Sequence, residues 1–273
     1  MFKNISKILV KLYIRVFRYV VYKIGQSLKT TRLGSIYGGW NFIEDNSFQG
    51  QTIISGGCGE DISFDIEFLN LYMGRVILVD PTPRSINHLE KVFDGLGNTK
   101  TKDYVEGGNQ PISAYDLSKI TSDQIEVEEF ALYDKNNVTV KFFPPENLEH
   151  VSYSISNWQN VDEETDYQIE VETITVKDII KKYDIDSLKL IKLDIEGAAE
   201  NQVLPFMIKE KIFPEQILVE FDELHTSNLK PYLKASKIIF QLLINGYKLI
   251  ETNKFPDMLF VKKEILKLKN DNE

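Results

Sequence analysis

The run Ser55-Gly56-Gly57-Cys58-Gly59-Glu60-Asp61 follows a β-branched stretch directly and opens a helical period. Glycines at such a point permit a tight turn and let a ligand approach the backbone closely. Asp80 closes the next apolar run, RVILVD, 21 residues after Gly59. A carboxylate there can accept hydrogen bonds from both ribose hydroxyls of an adenosine-containing cofactor. The plainer alternative is that the glycines only turn the chain and Asp80 only caps a helix. Cys58 has no histidine near it in sequence, so a packed thiol is expected there before a nucleophile.

A second constellation, Lys192-Leu193-Asp194-Ile195-Glu196-Gly197, ends one apolar run, and Glu220, Asp222 and His225 end the next. Ligands of open α/β sheets bind beyond the carboxyl ends of the strands, so these groups are expected to converge beside the glycine loop. Some would serve only as helix caps or surface acids. Asp194 and Asp222 alone do not complete an oxygen set for a divalent cation, so no metal site is assigned. The segment 150–160 carries Ser152, Tyr153, Ser154, Asn157 and Trp158. Its mix of hydroxyls, an amide and aromatic faces suits a sugar or another polyol, and equally an ordinary polar loop.

The elements that must position these groups alternate short β-branched runs with helical periods from about residue 50, the pattern of a parallel sheet with crossover helices. Strands are expected at 51–55, 75–80, 125–132, 138–143, 168–174, 188–194 and 216–221, with helices at 61–72, 83–93, 176–183, 198–209 and 231–245. Residues 95–124, with four glycines, read as a surface excursion without a core element. The runs 247–251 and 258–262 are separated by so short a connection that an antiparallel hairpin is expected. The C-terminal residues read as a solvated end.

Composition bounds the function classes. A chain of 273 residues that is 42% hydrophobic and 27% charged can bury a core. A single cysteine excludes an intrachain disulfide framework, and three scattered histidines show no zinc-like spacing, so an intracellular, cytoplasmic protein is expected. A net charge of -9 argues against nucleic acid as a partner.

That charge is unevenly placed. Residues 1–34 carry eight Lys and Arg and no acid. On a helix, the cations from Lys3 to Arg18 share one side while Ile5, Ile8, Leu9, Leu12, Val16 and Val20 spread over the other. This basic amphipathic arm lacks the unbroken apolar stretch of a spanning helix or a signal peptide. Two fates are open: residues 1–24 lie peripherally on an anionic membrane surface, or the apolar stripe packs on its own domain or in a homodimer.

The blocks SGGCGEDISFD, VILVDPTPRS, HVSYSISNWQ, ITVKDII with LIKLDIEGAAENQVL, and ILVEFDELH resemble, in order and spacing, those of the FkbM family of S-adenosylmethionine-dependent methyltransferases over roughly residues 50–262. The resemblance implies a class I methyltransferase fold for 35–273, a Rossmann-like α/β three-layer sandwich. Its mostly parallel seven-stranded sheet has the order 3-2-1-4-5-7-6, with the last strand antiparallel. It implies S-adenosyl-L-methionine as cofactor and O-methylation of a sugar, glycan or other small molecule. Gly57 and Gly59 would line the methionine part, Asp80 would hold the ribose, and Asp194 would lie near the sulfonium. One departure stands out. Glu60-Asp61-Ile62 replaces a glycine-asparagine turn and an aromatic, leaving Asp61 as a candidate for the cofactor's amino group.

Methyl transfer to oxygen needs one proton removed, and Asp194, Glu196 and His225 are the candidate bases. Ser152, Ser154, Asn157 and Asp222 are the candidate acceptor contacts. Two other classes stay open: an NAD(P)-dependent oxidoreductase, although GCGEDI lacks the third glycine of GxGxxG, and a non-catalytic membrane-attached binding module.

Overall fold

The computed structural model describes residues 2–98, 102–144, 153–155, 168–250, 252 and 254–270. In chain order these form α1 (Phe2–Ile24), β1 (Thr31–Leu33), β2 (Trp40–Phe42), β3 (Thr52–Gly56), α2 (Ser63–Tyr72), β4 (Arg75–Val79) and α3 (Pro83–Asp94). Then come β5 (Ile125–Glu128), β6 (Ala131–Leu132), β7 (Thr139–Phe142), β8 (Ile169–Ile174), α4 (Val176–Lys182), β9 (Leu190–Leu193) and α5 (Leu204–Glu210). The chain closes with β10 (Gln216–Glu220), α6 (Leu229–Ile244), β11 (Tyr247–Ile250), β12 (Asp257–Lys262) and α7 (Lys263–Asn270).

Seven strands make one mixed sheet in the order β11-β12-β10-β9-β3-β4-β5. Renumbered within the sheet, that is the expected 3-2-1-4-5-7-6, and β12 runs antiparallel to both β10 and β11. The inner strands are buried on both faces, which is why they read as continuous apolar runs. Ile54, Ile77, Ile191 and Val219 face α4, α5 and α6, while Ile53, Val76, Leu190 and Leu218 face α2, α3 and α7. Helix ends follow local chemistry. Pro83 opens α3, and Thr175 caps α4 by accepting the Asp178 N–H at 3.1 Å.

Several expectations need correction. The run 125–132 divides: β5 is the edge of the main sheet, and β6 leaves to pair with β8 in a separate three-stranded sheet with β7. The side chain of Glu128, where β5 ends, is buried and bonded to Lys182 and Tyr183. The segment 95–124 is no mere excursion, because Tyr115, Leu117 and Ile120 are buried in the core. Its two short 3-10 turns carry no long period, so the hydrophobic pattern could not report them. The helix expected at 198–209 begins as a π turn, Ala199–Val203, before α5. Pro205 has no N–H to give to the preceding turn, which widens. Residues Lys263–Asn270 form α7, with Leu266 buried, where a solvated end was expected, and the last three residues lie outside the described residues.

Helix α1 packs on α6, and its Tyr13, Ile14, Phe17 and Val21 join the core cluster on that side of the sheet. The Phe17 and Tyr232 rings meet edge-on at 5.2 Å, and Tyr13 bonds Ser236 at 3.0 Å. β1 and β2, for which no strand was expected, lead into an aromatic cluster of Phe42, Phe48, Phe64, Phe68 and Tyr72.

Candidate functional site

The parallel strands β3, β4 and β9 end at one edge of the sheet, and the glycine loop crosses that edge. Gly57 has φ +78, and a side-chain carbon built on it would fall 1.6 Å from the Asp194 carbonyl oxygen. Only glycine lets the loop pass that close to β9. Gly59 also has a positive φ, of 53°.

Asp80 holds the loop. Its Oδ2 accepts the N–H groups of Cys58 and Gly59, both at 2.9 Å, and its Oδ1 accepts from the Thr82 backbone and hydroxyl at 2.9 and 2.6 Å. Asp61 is a second tie. It accepts from Ser35 Oγ at 2.6 Å and Gly38 N at 3.2 Å, and its other oxygen caps α2 through Ser63 N at 3.0 Å. Both carboxylates line the cleft, so they organise its wall as well as facing it. Cys58 is buried, and desolvation together with the Asp80 charge pushes its thiol well above the usual range, so the sulfur stays protonated.

Opposite the loop the cleft is apolar, walled by Pro81, Ala131, Leu132, Phe142 and Ile155. Beneath it lies Lys192, buried, whose Nζ donates to the Gly57 carbonyl at 2.8 Å. Burial acts to lower the Lys192 pKa, but the charges of nearby acids, Asp65 first and then Asp194 and Asp61, outweigh it and leave the value raised.

The second constellation assembles as expected. Carboxylate oxygens of Asp194, Glu220 and Asp222 lie within 4.8 Å of one another. Asp222 accepts the Gly197 N–H at 2.8 Å, which fixes the turn after β9, where Glu196 has φ +48. Burial first, and then neighbouring carboxylates, push Asp194 and Asp222 well above the ordinary range. Asp257, from the start of β12, is pushed up to about 6 by burial and by Glu220. His225 lies at the exposed rim with Nε2 3.3 Å from Glu220 Oε1, and that hydrogen bond raises its pKa. Carboxylates crowded and buried in this way favour holding a proton in common, and Glu220 joins them to the imidazole at the exposed rim. Three oxygens this close could also receive a divalent cation, a use the sequence reading did not assign.

Of the expected acceptor contacts, Ser154 is buried and donates to the Glu196 carbonyl, while its neighbours Tyr153 and Ile155 line the cleft. Ser152 and Asn157 lie outside the described residues. Sequence reasoning missed Tyr37. Its hydroxyl pKa is raised by burial and by the charges of Asp194, Glu196, Glu220 and Asp61, and its ring lies against Gly108, where a side-chain carbon would come within 2.5 Å of it. The only signal was an aromatic before Gly38-Gly39, outside any periodic element. Asp257 was missed because it sat in what read as a turn.

A comparison with curated proteins returned no match. A family model described as "Methyltransferase FkbM domain" matches residues 56–249, from the end of β3 into β11.

Proposed function

The chain belongs to the FkbM methyltransferase family, and from that premise we propose that it transfers the methyl group of S-adenosylmethionine to a hydroxyl oxygen of a sugar, glycan or other small molecule. The observation that carries the oxygen chemistry is the carboxylate cluster of Asp194, Glu220 and Asp222, of which Asp194 lines the same cleft as the glycine loop. The cleft suits the cofactor. Gly57 leaves the backbone bare where a side chain would strike β9, Asp80 presents a carboxylate at the tip of β4, and Pro81, Leu132 and Phe142 offer an apolar wall for a flat base.

When bound, the cofactor supplies an electrophilic methyl group. The chain must hold the acceptor in line and take its proton as the new bond forms. Asp194 is the assigned acceptor of that proton, because it lines the cleft beside the glycine loop, and burial with its acidic neighbours strengthens its hold on a proton. Glu220, bonded to His225, gives the proton a path to the exposed imidazole. Glu196 adds negative charge beside Asp194, and Asp222 fixes the turn that carries it. Ser154 anchors the polar segment at 153–155 to the same turn.

The test is product chemistry. The full chain is incubated with methyl-labelled S-adenosylmethionine and fractionated glycans, lipids and small molecules. The expected product is an O-methyl ether with release of S-adenosylhomocysteine. Label on nitrogen or carbon, or turnover of NAD(P) in place of S-adenosylmethionine, overturns the reading.

A further inference from the structure

Packing on α6 uses only one side of α1. At about 100° per residue, Tyr13, Ile14, Phe17 and Val21 share that side. Ile8, Leu9, Leu12, Val16, Tyr19 and Val20 fall on another, and all are exposed, Leu12 by 55% and Val16 by 49%. The cations Lys7, Lys11 and Arg15 run along the border of this apolar side and are exposed too.

Helix α6 repeats the pattern. Leu233, Phe240 and Ile244 form a stripe at i, i+7 and i+11, with Phe240 exposed by 62% and Ile244 by 65%. Lys230 and Lys237 edge that stripe and are exposed. Ser236, which bonds Tyr13, stands between the stripe and the α1 contact. The two exposed apolar strips therefore flank a single seam, and cations line the outer border of each.

The charge carried by these two helices has one sign. The sequences of α1 and α6 together hold nine Lys and Arg and no acid, in a chain whose net charge is -9. We propose that α1 and α6 together form a docking surface for an anionic lipid membrane. Apolar side chains would enter the headgroup boundary while the flanking cations meet lipid phosphates. Among the described residues no helix is long and apolar enough to cross a membrane, so the contact is peripheral. A second copy of the chain is the poorer occupant, because a two-fold contact through this face would set its cations against themselves.

The test is flotation of the full chain with phosphatidylglycerol vesicles, with phosphatidylcholine vesicles as the neutral arm. The expected result is association with the anionic vesicles, at least tenfold weaker with neutral ones, and weakened when ionic strength rises from about 0.1 M to about 0.5 M. Leu12→Glu with Val16→Glu should reduce association at least tenfold, and Phe240→Glu in α6 should also reduce it, with thermal midpoints held near the parent's. Should the acidic variants fail to fold, Lys7→Gln, Lys11→Gln and Arg15→Gln together give the same reading through charge alone. Equal binding to both vesicle types, no binding at low salt, or parent-like binding by folded variants overturns the proposal. A parent dimer in light scattering that Leu12→Glu with Val16→Glu separates also overturns it, in favour of a second copy.

Discussion

The ammonium of Lys192 donates a 2.8 Å hydrogen bond to the carbonyl oxygen of Gly57. A buried cation at the end of β9 thus props the glycine loop from below, among Asp65, Asp194 and Asp61. The charge of Lys192 also lowers the pKa of Asp194 against burial and its acidic neighbours. The loop proposed to face the cofactor and the carboxylate proposed as base therefore share a counter-charge.

Lys192→Met should cost about 3 to 5 kcal/mol of stability in urea unfolding, the scale for breaking a buried charge pairing. In whatever fraction folds, the acidic limb of the kcat/KM profile should move to higher pH, since Asp194 loses its cation. A loss under about 1 kcal/mol would remove Lys192 from this role.

Gly57 and Gly50 separate strain from collision. Gly50 has φ +70 with nothing within 4 Å of an added carbon, whereas at Gly57 that carbon meets the Asp194 carbonyl. Gly50→Ala should cost roughly 1 to 2 kcal/mol, and Gly57→Ala more than about 3 kcal/mol with loss of S-adenosylhomocysteine binding. Equal costs in thermal unfolding would mean that the loop yields freely.

Glu200 sets a pH dependence. It is buried at the π turn, with one oxygen unpartnered, and burial pushes its pKa to about 7 from 4.5. The folded state then binds more protons than the unfolded one between those values, so this group's contribution falls as pH rises through that window and is level above it. Glu200→Gln should raise stability at pH 8 by up to about 3 kcal/mol over its effect at pH 5, read from urea midpoints. An equal effect at both pH values would place the ionised group in contact with water.

Much of this was legible in the sequence because parallel strands buried on both faces write continuous apolar runs. RVILV and LIKL located β4 and β9, and the acids that follow them located the edge where Asp80 and Asp194 stand. Tertiary partners were not legible. Asp61 and Asp80 read as ligand contacts, yet both hold backbone N–H groups of segments whose positions no local pattern encodes. Tyr37 and Tyr115 sit in irregular chain, where burial leaves no period, and Asp257 is the first residue of β12, hidden against the turn before it. The apolar positions of α1 divide between a packed side and an exposed one, a distinction that helical spacing alone does not carry.

Isothermal titration of S-adenosylhomocysteine into the parent, Asp80→Ala and Asp194→Asn, paired with methyl transfer by the same samples, tests the central claim most directly. The parent should bind; Asp80→Ala should bind about 10- to 100-fold more weakly, through loss of charged hydrogen bonds to the loop. Asp194→Asn should keep affinity within a few-fold while losing at least about a hundredfold in turnover, the scale for a general base. No binding by the folded parent, or parent-like turnover by Asp194→Asn, would contradict the account.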